Sequence, residues 1–322
     1  MIDAARGKVL QVLLTGRFEA AEREAWWRAL RDAAPEHAWW RDDAPFDPNT
    51  IAAAVVANPA PGVLRALPRL RLVQSLWAGV ERLLADDTLP THVPIARMVD
   101  PAMNAAMAET ALWSVLSLHR GFFAYAEQQR AGQWRQHAQR HADELRVTVL
   151  GMGQMGRAAA ARIAALGYRV NGWSTGAPSD RVHSVSHHAG RAALEALLPA
   201  SDIVINLLPL TPATQGLLDA HFFAALPQGA AIVNLARGAH VVDADLLAAL
   251  DRGHLRHAVL DVFTTEPLPA GHPYWTHPKV TLLPHVAALT DERSAAQVVA
   301  AHLRALRDGT PIAHLVDRSR GY

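Results

Sequence analysis

The chain contains no cysteine, which excludes disulfide bonds, thiolate catalysis and cysteine-ligated zinc sites. It also has almost no net charge, since 31 lysines and arginines stand against 30 aspartates and glutamates. The basic residues are scattered, so the clustered positive face typical of nucleic-acid binding is missing. Neither an 18-residue apolar run nor a basic-apolar-small leader at Met1 is present. The sequence therefore predicts no membrane span and no export, and we expect a cytoplasmic protein.

What the chain does have is enough apolar residues for a large interior. With 322 residues, of which 50% are hydrophobic, it can build two domains with separate cores. Strand-like apolar runs alternate with amphipathic helical runs along the whole length. This alternation predicts an α/β fold throughout, with two Rossmann-like or flavodoxin-like domains that contain parallel sheets.

The apolar periodicity also predicts where the elements lie. In the first half, strands are predicted at residues 8–15, 52–57, 70–76 and 94–98, and helices at 19–34, 61–67 and 80–84. One long helix at 101–130 would connect the two halves. Further strands are predicted at residues 146–150, 168–173, 202–208, 230–236, 257–263 and 279–283, and a last helix at 291–308.

A glycine-rich turn follows the strand at 146–150 directly. It reads Gly151-Met152-Gly153-Gln154-Met155-Gly156 and opens into an alanine-rich run. Gly151 permits a tight turn, Gly153 lets the backbone approach a pyrophosphate, and Gly156 lets the helix pack on the strand. The G-x-G-x-x-G pattern alone is weak and also fits a plain turn. Strand, glycine turn and helix together predict a dinucleotide site at the helix N-terminus.

The position of this fingerprint predicts the domain organisation, because the first unit of the chain has none. We expect residues 101–287 to form a dinucleotide-binding Rossmann domain. Residues 1–100 and 288–322 would form a discontinuous substrate-binding (catalytic) domain, since the last helix is assigned back to the first unit.

Three polar side chains follow successive predicted strands of the cofactor domain. They are Arg237, Glu266 and His285. Each one alone has a plainer interpretation, as a surface arginine, a solvated carboxylate or one of 17 histidines. Ligands of open α/β sheets bind beyond the carboxyl ends of strands, where all three are placed. An arginine, a carboxylate and a histidine can hold a small acid, tune an imidazole and move a proton.

Several further motifs recur in the order typical of one family. These are Leu76-Trp77-Ala78-Gly79-Val80-Glu81, the fingerprint 151–156, Ile205-Asn206-Leu207-Leu208-Pro209, Asn234-Leu235-Ala236-Arg237-Gly238, Leu260-Asp261-Val262-Phe263, Glu266-Pro267-Leu268 and Pro284-His285-Val286-Ala287-Ala288. With them the chain resembles the D-isomer-specific 2-hydroxyacid dehydrogenases over almost its whole length.

The resemblance implies a reaction and a role for each catalytic candidate. Arg237 would hold the carboxylate and carbonyl of a 2-oxo acid in a cleft between the domains. Hydride would pass from a reduced nicotinamide to the carbonyl carbon while protonated His285 donates to the oxygen. Glu266, hydrogen-bonded to that imidazole, would favour its charged form. The small 2-oxo acids in question are acids such as glyoxylate and hydroxypyruvate.

The resemblance also implies binding residues. Backbone amides of Ala78, Gly79 and Val80 would bind the substrate carboxylate beside Arg237, and Asp261 would contact the nicotinamide carboxamide. The full set of positions implied to contact the cofactor is Gly151, Met152, Gly153, Gln154, Met155, Gly156, Ser174, Thr175, Leu208, Pro209, Leu235, Ala236, Asp261 and Ala287. Members of the family usually work as dimers, so we expect a homodimer with helix 101–130 as an interface candidate, although that helix fits an internal packing role equally well.

Two departures from the family pattern bear on specificity. Trp77 stands where many relatives carry a small residue, and it would either narrow the substrate pocket or pack outward. Ser174 ends the second strand of the cofactor domain, where an NAD enzyme offers Asp or Glu to the ribose. Without that carboxylate we expect NADP(H) to be preferred and NAD(H) to remain possible. Thr175 replaces the arginine of related NADP enzymes, and Arg181 is the candidate substitute.

Other clusters are weaker candidates. His137 and His141 are four residues apart and could share one helix face, but without a third ligand we expect no metal site. His183, His187 and His188 are expected to be solvent-exposed in a variable loop. The pairs Trp26-Trp27 and Trp39-Trp40 are expected in cores or between domains, since no basic cluster accompanies them.

Two functions of different classes remain. The leading hypothesis is an NAD(P)H-dependent reductase of small 2-oxo acids, with no nucleic-acid or membrane partner. The alternative is a non-catalytic, corepressor-like interaction protein that senses a dinucleotide on the same fold. Arg237, Glu266 and His285 together favour the enzyme, because a pure sensor has no need to retain all three.

Overall fold

Two parallel sheets organise the chain, and their strands are apolar on both faces. In β3 (Ala53–Ala57) and β10 (Ala230–Asn234) every residue is buried, so helices must cover both sides of each sheet. The structure is a computed structural model that describes residues 9–176 and 181–322. These residues fall into two compact units, the described part of Met1–Ala102 with Thr290–Tyr322, and Met103–Leu289.

The first unit contains a five-stranded sheet in the order β2-β1-β3-β4-β5, which is the flavodoxin-like order. Its other strands are β1 (Gln11–Gly16), β2 (Ala38–Arg41), β4 (Leu72–Ser75) and β5 (Ile95–Ala96). Its helices are α1 (Ala20–Ala33), α2 (Glu81–Leu84) and α9 (Glu292–Asp308). Helix α9 returns from the end of the chain to pack against α1, which makes this unit discontinuous.

The second unit contains a seven-stranded sheet in the order β12-β11-β10-β9-β6-β7-β8. Its remaining strands are β6 (Arg146–Leu150), β7 (Arg169–Ser174), β8 (Val185–Ala189), β9 (Ile203–Asn206), β11 (Leu255–Leu260) and β12 (Val280–Leu282). The helices from the unit boundary onward are α3 (Pro101–Arg120), α4 (Phe122–Arg130), α5 (Gln154–Ala164), α6 (Arg191–Leu197), α7 (Ala220–Ala225) and α8 (Asp243–Asp251). The first six strands reproduce the Rossmann order, with β12 added at the edge.

The predicted fold class, two parallel α/β domains with one of them discontinuous, is confirmed. Two predicted helices are wrong in extent. The helix at 101–130 is broken at Gly121, where a left-handed φ of +72° ends α3 and begins α4. The helix at 61–67 shrinks to a 3₁₀ turn over Leu64–Ala66. Residue 8 of the predicted first strand lies outside the described residues.

The expected exposure of the histidines near residue 185 is wrong for two of the three. His187 and His188 are half-buried because they belong to β8, a strand the periodicity did not predict. The ring of His187 accepts a bond from the Val182 amide at 2.9 Å, and His188 contacts Asn171 on β7 at 3.3 Å. His183 is exposed as expected.

The segment around His137 and His141 is not helical, so these two side chains do not share a helix face. His137 instead contacts the Gln128 side chain at 2.9 Å. Of the tryptophan pairs, Trp26 is in the core of the first unit, whereas Trp40 lies on the edge strand β2 and is 37% exposed. Among the described residues, no helix is both long enough and apolar enough to cross a membrane.

His257 in β11 makes the stability of the second unit depend on pH. It is buried, stacks face to face on Phe123 with ring centroids 4.3 Å apart, and contacts Thr281 Oγ1 at 2.8 Å. Burial, and then the positive charges of Arg256 and His277, lower the pKa of His257 to about 4. Since the unfolded chain binds this proton near pH 6.5, acid stabilises the unfolded state.

We therefore expect the unfolding free energy to fall as the pH drops from 6.5 through 4. The contribution of His257 is on the order of 3 kcal/mol at the acid limit. In His257→Gln this part of the pH dependence should be absent. Urea unfolding at several pH values between 7 and 4 measures the difference, and equal slopes for both proteins would contradict the assignment.

Candidate active site

The glycine turn after β6 is shaped by close contacts with the turn after β9. Gly151 has a left-handed φ of +94°, and a Cβ there would lie 2.5 Å from the Leu207 carbonyl oxygen. A Cβ on Gly156 would lie 1.8 Å from the Gly151 carbonyl oxygen. Both positions therefore require glycine for packing. Since β6 and β9 lie side by side where the strand order reverses, this is the ligand-binding crevice of a doubly wound sheet.

Gly153 is different, because a Cβ there would meet no atom within 4 Å. This residue caps α5, an 11-residue helix, and is itself exposed. Gln154 is also exposed, Met155 is half-buried, and Met152 is buried against Gly172 of β7. The open space above the first amides of α5 fits the pyrophosphate of a dinucleotide, which needs close backbone approach and a helix N-terminus.

Two buried asparagines hold the neighbouring turns. Asn206 ends β9 and donates from Nδ2 to Oδ1 of Asn234, which ends β10, at 3.0 Å. Asn206 Oδ1 accepts the Leu208 amide at 3.2 Å, and Asn234 Oδ1 accepts the Ala236 amide at 3.3 Å. Both turns predicted to contact the cofactor are thus fixed by side-chain bonds. Leu208, Leu235 and Ala236 are buried, and Pro209 is half-buried.

Arg237 follows β10 and is half-buried, with Nη1 donating to the Ala236 carbonyl at 2.7 Å. The next residue, Gly238, packs tightly on the turn after β11, since a Cβ there would lie 1.9 Å from the Phe263 carbonyl carbon. This close approach brings the Arg237 turn against the segment that leads to Glu266. The adjacency follows from the pairing of β10 with β11.

Glu266 and His285 form a bonded pair. His285 Nδ1 lies 2.7 Å from Glu266 Oε2, and Glu266 Oε1 accepts the Phe263 amide at 2.9 Å. The His285 side chain is 52% exposed and that of Glu266 33% exposed, so solutes have access to the pair. A carboxylate can only accept, so Nδ1 carries the hydrogen and Nε2 faces away from Glu266. The imidazole is oriented to exchange a proton at Nε2.

The backbone of His285 is held in an uncommon conformation. Its φ is +55°, in the left-handed region, and its amide donates to the Asp261 carbonyl at 2.9 Å. The buried Asp261 carboxylate accepts the amides of Val286 at 2.7 Å and Ala287 at 3.1 Å. Burial raises the pKa of Asp261, while these amides act in the opposite direction. Asp261 therefore clamps the segment that carries His285.

Ser174 ends β7 and is half-buried, with its carbonyl accepting the Gly190 amide at 3.1 Å. Thr175 and Arg181 are exposed. Among the described residues, Ser174 and Thr175 stand at the end of β7, and neither offers the carboxylate that binds a ribose 2′-hydroxyl in an NAD enzyme.

The turn predicted to bind substrate in the first unit follows β4. The Ser75 hydroxyl accepts the Trp77 amide and donates to the Trp77 carbonyl, both at 3.0 Å. The Trp77 ring packs edge to face on the buried Trp26, with centroids 6.4 Å apart. Trp77, Ala78 and Gly79 are half-buried and Val80 is buried. Trp77 therefore packs on the core of its unit, and the substrate contacts of residues 77–80 stay a prediction.

The sequence of the second unit matches a known family. The family is described as D-isomer specific 2-hydroxyacid dehydrogenase, NAD binding domain, and the match runs over residues 112–287, more than half of the chain. The chain belongs to this family of oxidoreductases. The matched range includes the fingerprint, Arg237, Glu266 and His285, and it confirms the resemblance on which the sequence-based hypothesis depends.

Relatives of known name extend the similarity to nearly the whole chain. A glyoxylate/hydroxypyruvate reductase A from Serratia proteamaculans is 39% identical over 304 residues, which cover 93% of this chain and 96% of the relative. The same-named protein from Yersinia enterocolitica is 37% identical over 274 residues, which cover 84% and 87%. These relatives confirm that the similarity extends over almost the whole chain, as predicted.

Solved structures of the same family are similar to this chain over nearly its whole length. A D-isomer specific 2-hydroxyacid dehydrogenase from Xanthobacter autotrophicus Py2, in complex with NADPH and MES, has a TM-score of 0.91 at 38% identity and covers 98% of this chain and 99% of its own. An NADPH-dependent glyoxylate/hydroxypyruvate reductase from Sinorhizobium meliloti, in complex with NADP and sulfate, has a TM-score of 0.90 at 34% identity and covers 97% and 100%.

The sequence motifs do not reveal the residues that support the dehydrogenase site. Asn206 and Asn234 stand within motifs that assign them no role, and His240 belongs to none of the candidate sets. A polar residue that ends an apolar run, as in Ile205-Asn206 and Val233-Asn234, is the signal that could have found the asparagines. For His240 the sequence offers no such signal.

The space around Gly153 yields a test of the dinucleotide site. In Gly153→Ala we expect an unchanged melting temperature, since the new methyl group meets no protein atom, and a Kd for the dinucleotide raised roughly 10-fold or more by the clash with the pyrophosphate. Gly156→Ala should instead lower the melting temperature.

Gly271→Ala is the matched control, because Gly271 is also exposed and open but lies outside the turn. It should change neither quantity. Calorimetry and a fluorescence titration with NADPH give both readouts. A Gly153→Ala protein that binds the dinucleotide as tightly as the wild type would contradict the placement of the pyrophosphate.

Proposed function

We propose that this dehydrogenase reduces small 2-oxo acids, such as glyoxylate and hydroxypyruvate, to 2-hydroxy acids, with NADPH as the preferred reductant. The observation that carries the proposal is the Glu266–His285 pair at 2.7 Å, which leaves Nε2 of a partly exposed imidazole as a proton donor. The names of the relatives from Serratia and Sinorhizobium support the same substrates.

In the proposed reaction, His285 donates the proton from Nε2 to the carbonyl oxygen as that oxygen gains negative charge. A reduced nicotinamide, when bound, supplies the hydride that forms the new bond at the carbonyl carbon. Glu266 stabilises the positive imidazolium before transfer and holds the neutral Nδ1–H tautomer afterwards. Proton and hydride together convert the ketone or aldehyde to an alcohol.

Arg237 is proposed as the anchor of the substrate. Its guanidinium is permanently charged and planar, so it can hold a carboxylate by two parallel hydrogen bonds. It follows β10 in the sheet order β12-β11-β10, whereas Glu266 and His285 follow β11 and β12. Because parallel strands end at one edge of the sheet, anchor and proton donor belong to the same edge.

The preference for NADPH is inferred from the end of β7. Ser174 presents no negative charge to repel a 2′-phosphate, and the exposed Arg181 is the candidate cation to bind it. The relatives crystallised with NADPH or NADP support this choice. NADH remains a possible second reductant.

The bonded pair weighs against a corepressor-like sensor, since recognition of a dinucleotide requires no oriented imidazole. We also propose a homodimer. The surface that supports it includes Trp113 on α3 and Phe122 on α4, which are 41% and 55% exposed. Exposed aromatic side chains on neighbouring helices are typical of subunit interfaces.

The role of Ser174 is tested by changing the charge at this position. The unmodified protein should give a kcat/KM about 10-fold higher with NADPH than with NADH, since one charge-assisted contact is worth roughly 1.5 to 3 kcal/mol. Ser174→Asp should reverse the order, and Ser174→Ala, as a neutral control, should keep it. Steady-state rates with both reductants decide the matter, and equal or better use of NADH by the unmodified protein would refute the preference.

The proton donor is tested by substitution of each member of the pair. In Glu266→Gln, kcat for a 2-oxo acid should fall about 10-fold or more, because the charged acceptor that orients His285 Nδ1–H is gone and a hydrogen bond to a charged group is worth roughly 1.5 to 3 kcal/mol. His285→Ala should lose roughly 10² to 10⁴ in rate, the usual range for a general acid.

The Kd for NADPH serves as the control in both variants, because neither side chain lies at the glycine turn. It should stay near the wild-type value. A near-normal kcat in Glu266→Gln would disprove the role of the pairing, and near-normal turnover by His285→Ala would disprove the mechanism.

A further inference from the structure

His240 lies completely buried directly behind the proposed anchor. It closes the short 3₁₀ turn Gly238–His240 and has no solvent-exposed surface. Its ring contacts two backbone carbonyls, that of Arg237 from Nδ1 at 3.1 Å and that of Pro209 from Nε2 at 3.3 Å. One imidazole thus spans the turn after β10 and the turn after β9.

The Arg237 carbonyl is the centre of this arrangement. It also accepts Nδ2 of Asn234 at 3.0 Å and the backbone amide of His240 at 3.3 Å. Through Asn234 and Asn206 the same network reaches the amide of Leu208. The network is buried, so each of its bonds is strong and a missing partner is costly.

A plain packing role does not require a histidine here. The volume of an imidazole can be filled by leucine, which carries no polar atoms to satisfy in an interior. What histidine adds is a ring nitrogen beside a carbonyl of each of two turns that come from different strands, with its N–H donated to one of the two carbonyls. A fixed distance between those turns matters for catalysis, because a displacement of about 1 Å can cost about 100-fold in rate.

We propose that His240 is a positioning residue that sets Arg237 relative to the Leu208–Pro209 turn, and so sets the substrate anchor relative to the dinucleotide. This inference rests on the proposed function, in which Arg237 binds a carboxylate and the turn at 208–209 contacts the cofactor. His240 itself is not expected to touch either ligand.

The two ring nitrogens can be tested separately. The amide nitrogen of an asparagine takes the place of Nδ1, and that of a glutamine takes the place of Nε2. His240→Asn therefore places an N–H donor near the Arg237 carbonyl and leaves no polar nitrogen near Pro209. His240→Gln does the reverse, and His240→Leu removes both.

The measurements are KM and kcat for glyoxylate, the Kd of NADPH by fluorescence, and the Kd of oxalate for the NADP complex by calorimetry. In His240→Gln the KM for glyoxylate and the Kd of oxalate should rise roughly 3- to 10-fold, the cost of one neutral hydrogen bond, with the Kd of NADPH within about 2-fold. In His240→Asn the Kd of NADPH should rise and that of oxalate should change less. His240→Leu should show both defects.

His254→Gln is the matched control. His254 Nε2 also contacts a backbone carbonyl, that of Phe223 at 2.8 Å. However, His254 precedes β11, so it lies at the amino ends of the strands and not at the carboxyl ends, where the candidate site is. This variant should alter stability only. If the His240 variants also alter only the melting temperature, or if Asn and Gln give the same pattern, the positioning role is refuted.

Failure of the proposed function would look different. In that case the wild-type protein would reduce neither glyoxylate nor hydroxypyruvate, whatever His240 does. The two titrations need no turnover, so they still test whether His240 separates the anion site from the dinucleotide site. Should His240→Leu fail to fold, the Asn and Gln pair carries the comparison.

Discussion

The bond between His285 Nδ1 and Glu266 Oε2 orients the imidazole, and hydrogen bonds of the surrounding loops hold both residues in place. Glu266 is held by the Phe263 amide, and His285 by the carbonyl of Asp261. The Asp261 carboxylate binds the two amides that follow His285. A single chain of bonds thus runs from β11 through both catalytic candidates, and it needs the two strands β11 and β12 to be neighbours.

The adjacency of β11 and β12 is a property of the parallel sheet. Parallel strands deliver the residues that follow them to one edge, so Arg237, Glu266 and His285, which are far apart in sequence, follow three adjacent strands. The glycine turn follows a fourth strand, β6, at the reversal of the strand order. Gly238 and Gly151 allow the turns to approach one another more closely than a side chain would permit.

The sequence was sufficient to predict the features of the fold and of the candidate site that depend on local chemistry. Apolar runs predicted most of the strands, and the position of Arg237, Glu266 and His285 after successive strands predicted a common edge. Tertiary context decided the rest. A short strand such as β8, with the polar composition Val-Ser-His-His-Ala, pairs because β7 offers an edge, and nothing in its periodicity reveals this.

The residues that hold the site in place could not be predicted either, because their partners are also set by tertiary context. His240 has its partners in two turns from different strands, one of them 31 residues away. Asp261 follows a predicted strand, but its bonds to the segment after His285 depend on the pairing of β11 with β12. Residues that act through other residues are hard to recognise in a single sequence, whereas residues that contact a ligand lie in recognisable motifs.

The most direct test of the account is a crystal structure of the protein with NADP and oxalate, an unreactive analogue of a 2-oxo acid. The account predicts one carboxylate of oxalate on the Arg237 guanidinium, and His285 Nε2 within about 2.6 to 3.2 Å of an oxygen of the other. Nδ1 should remain bonded to Glu266. Oxalate bound away from Arg237, or an imidazole whose Nε2 points away from it, would contradict the proposed chemistry.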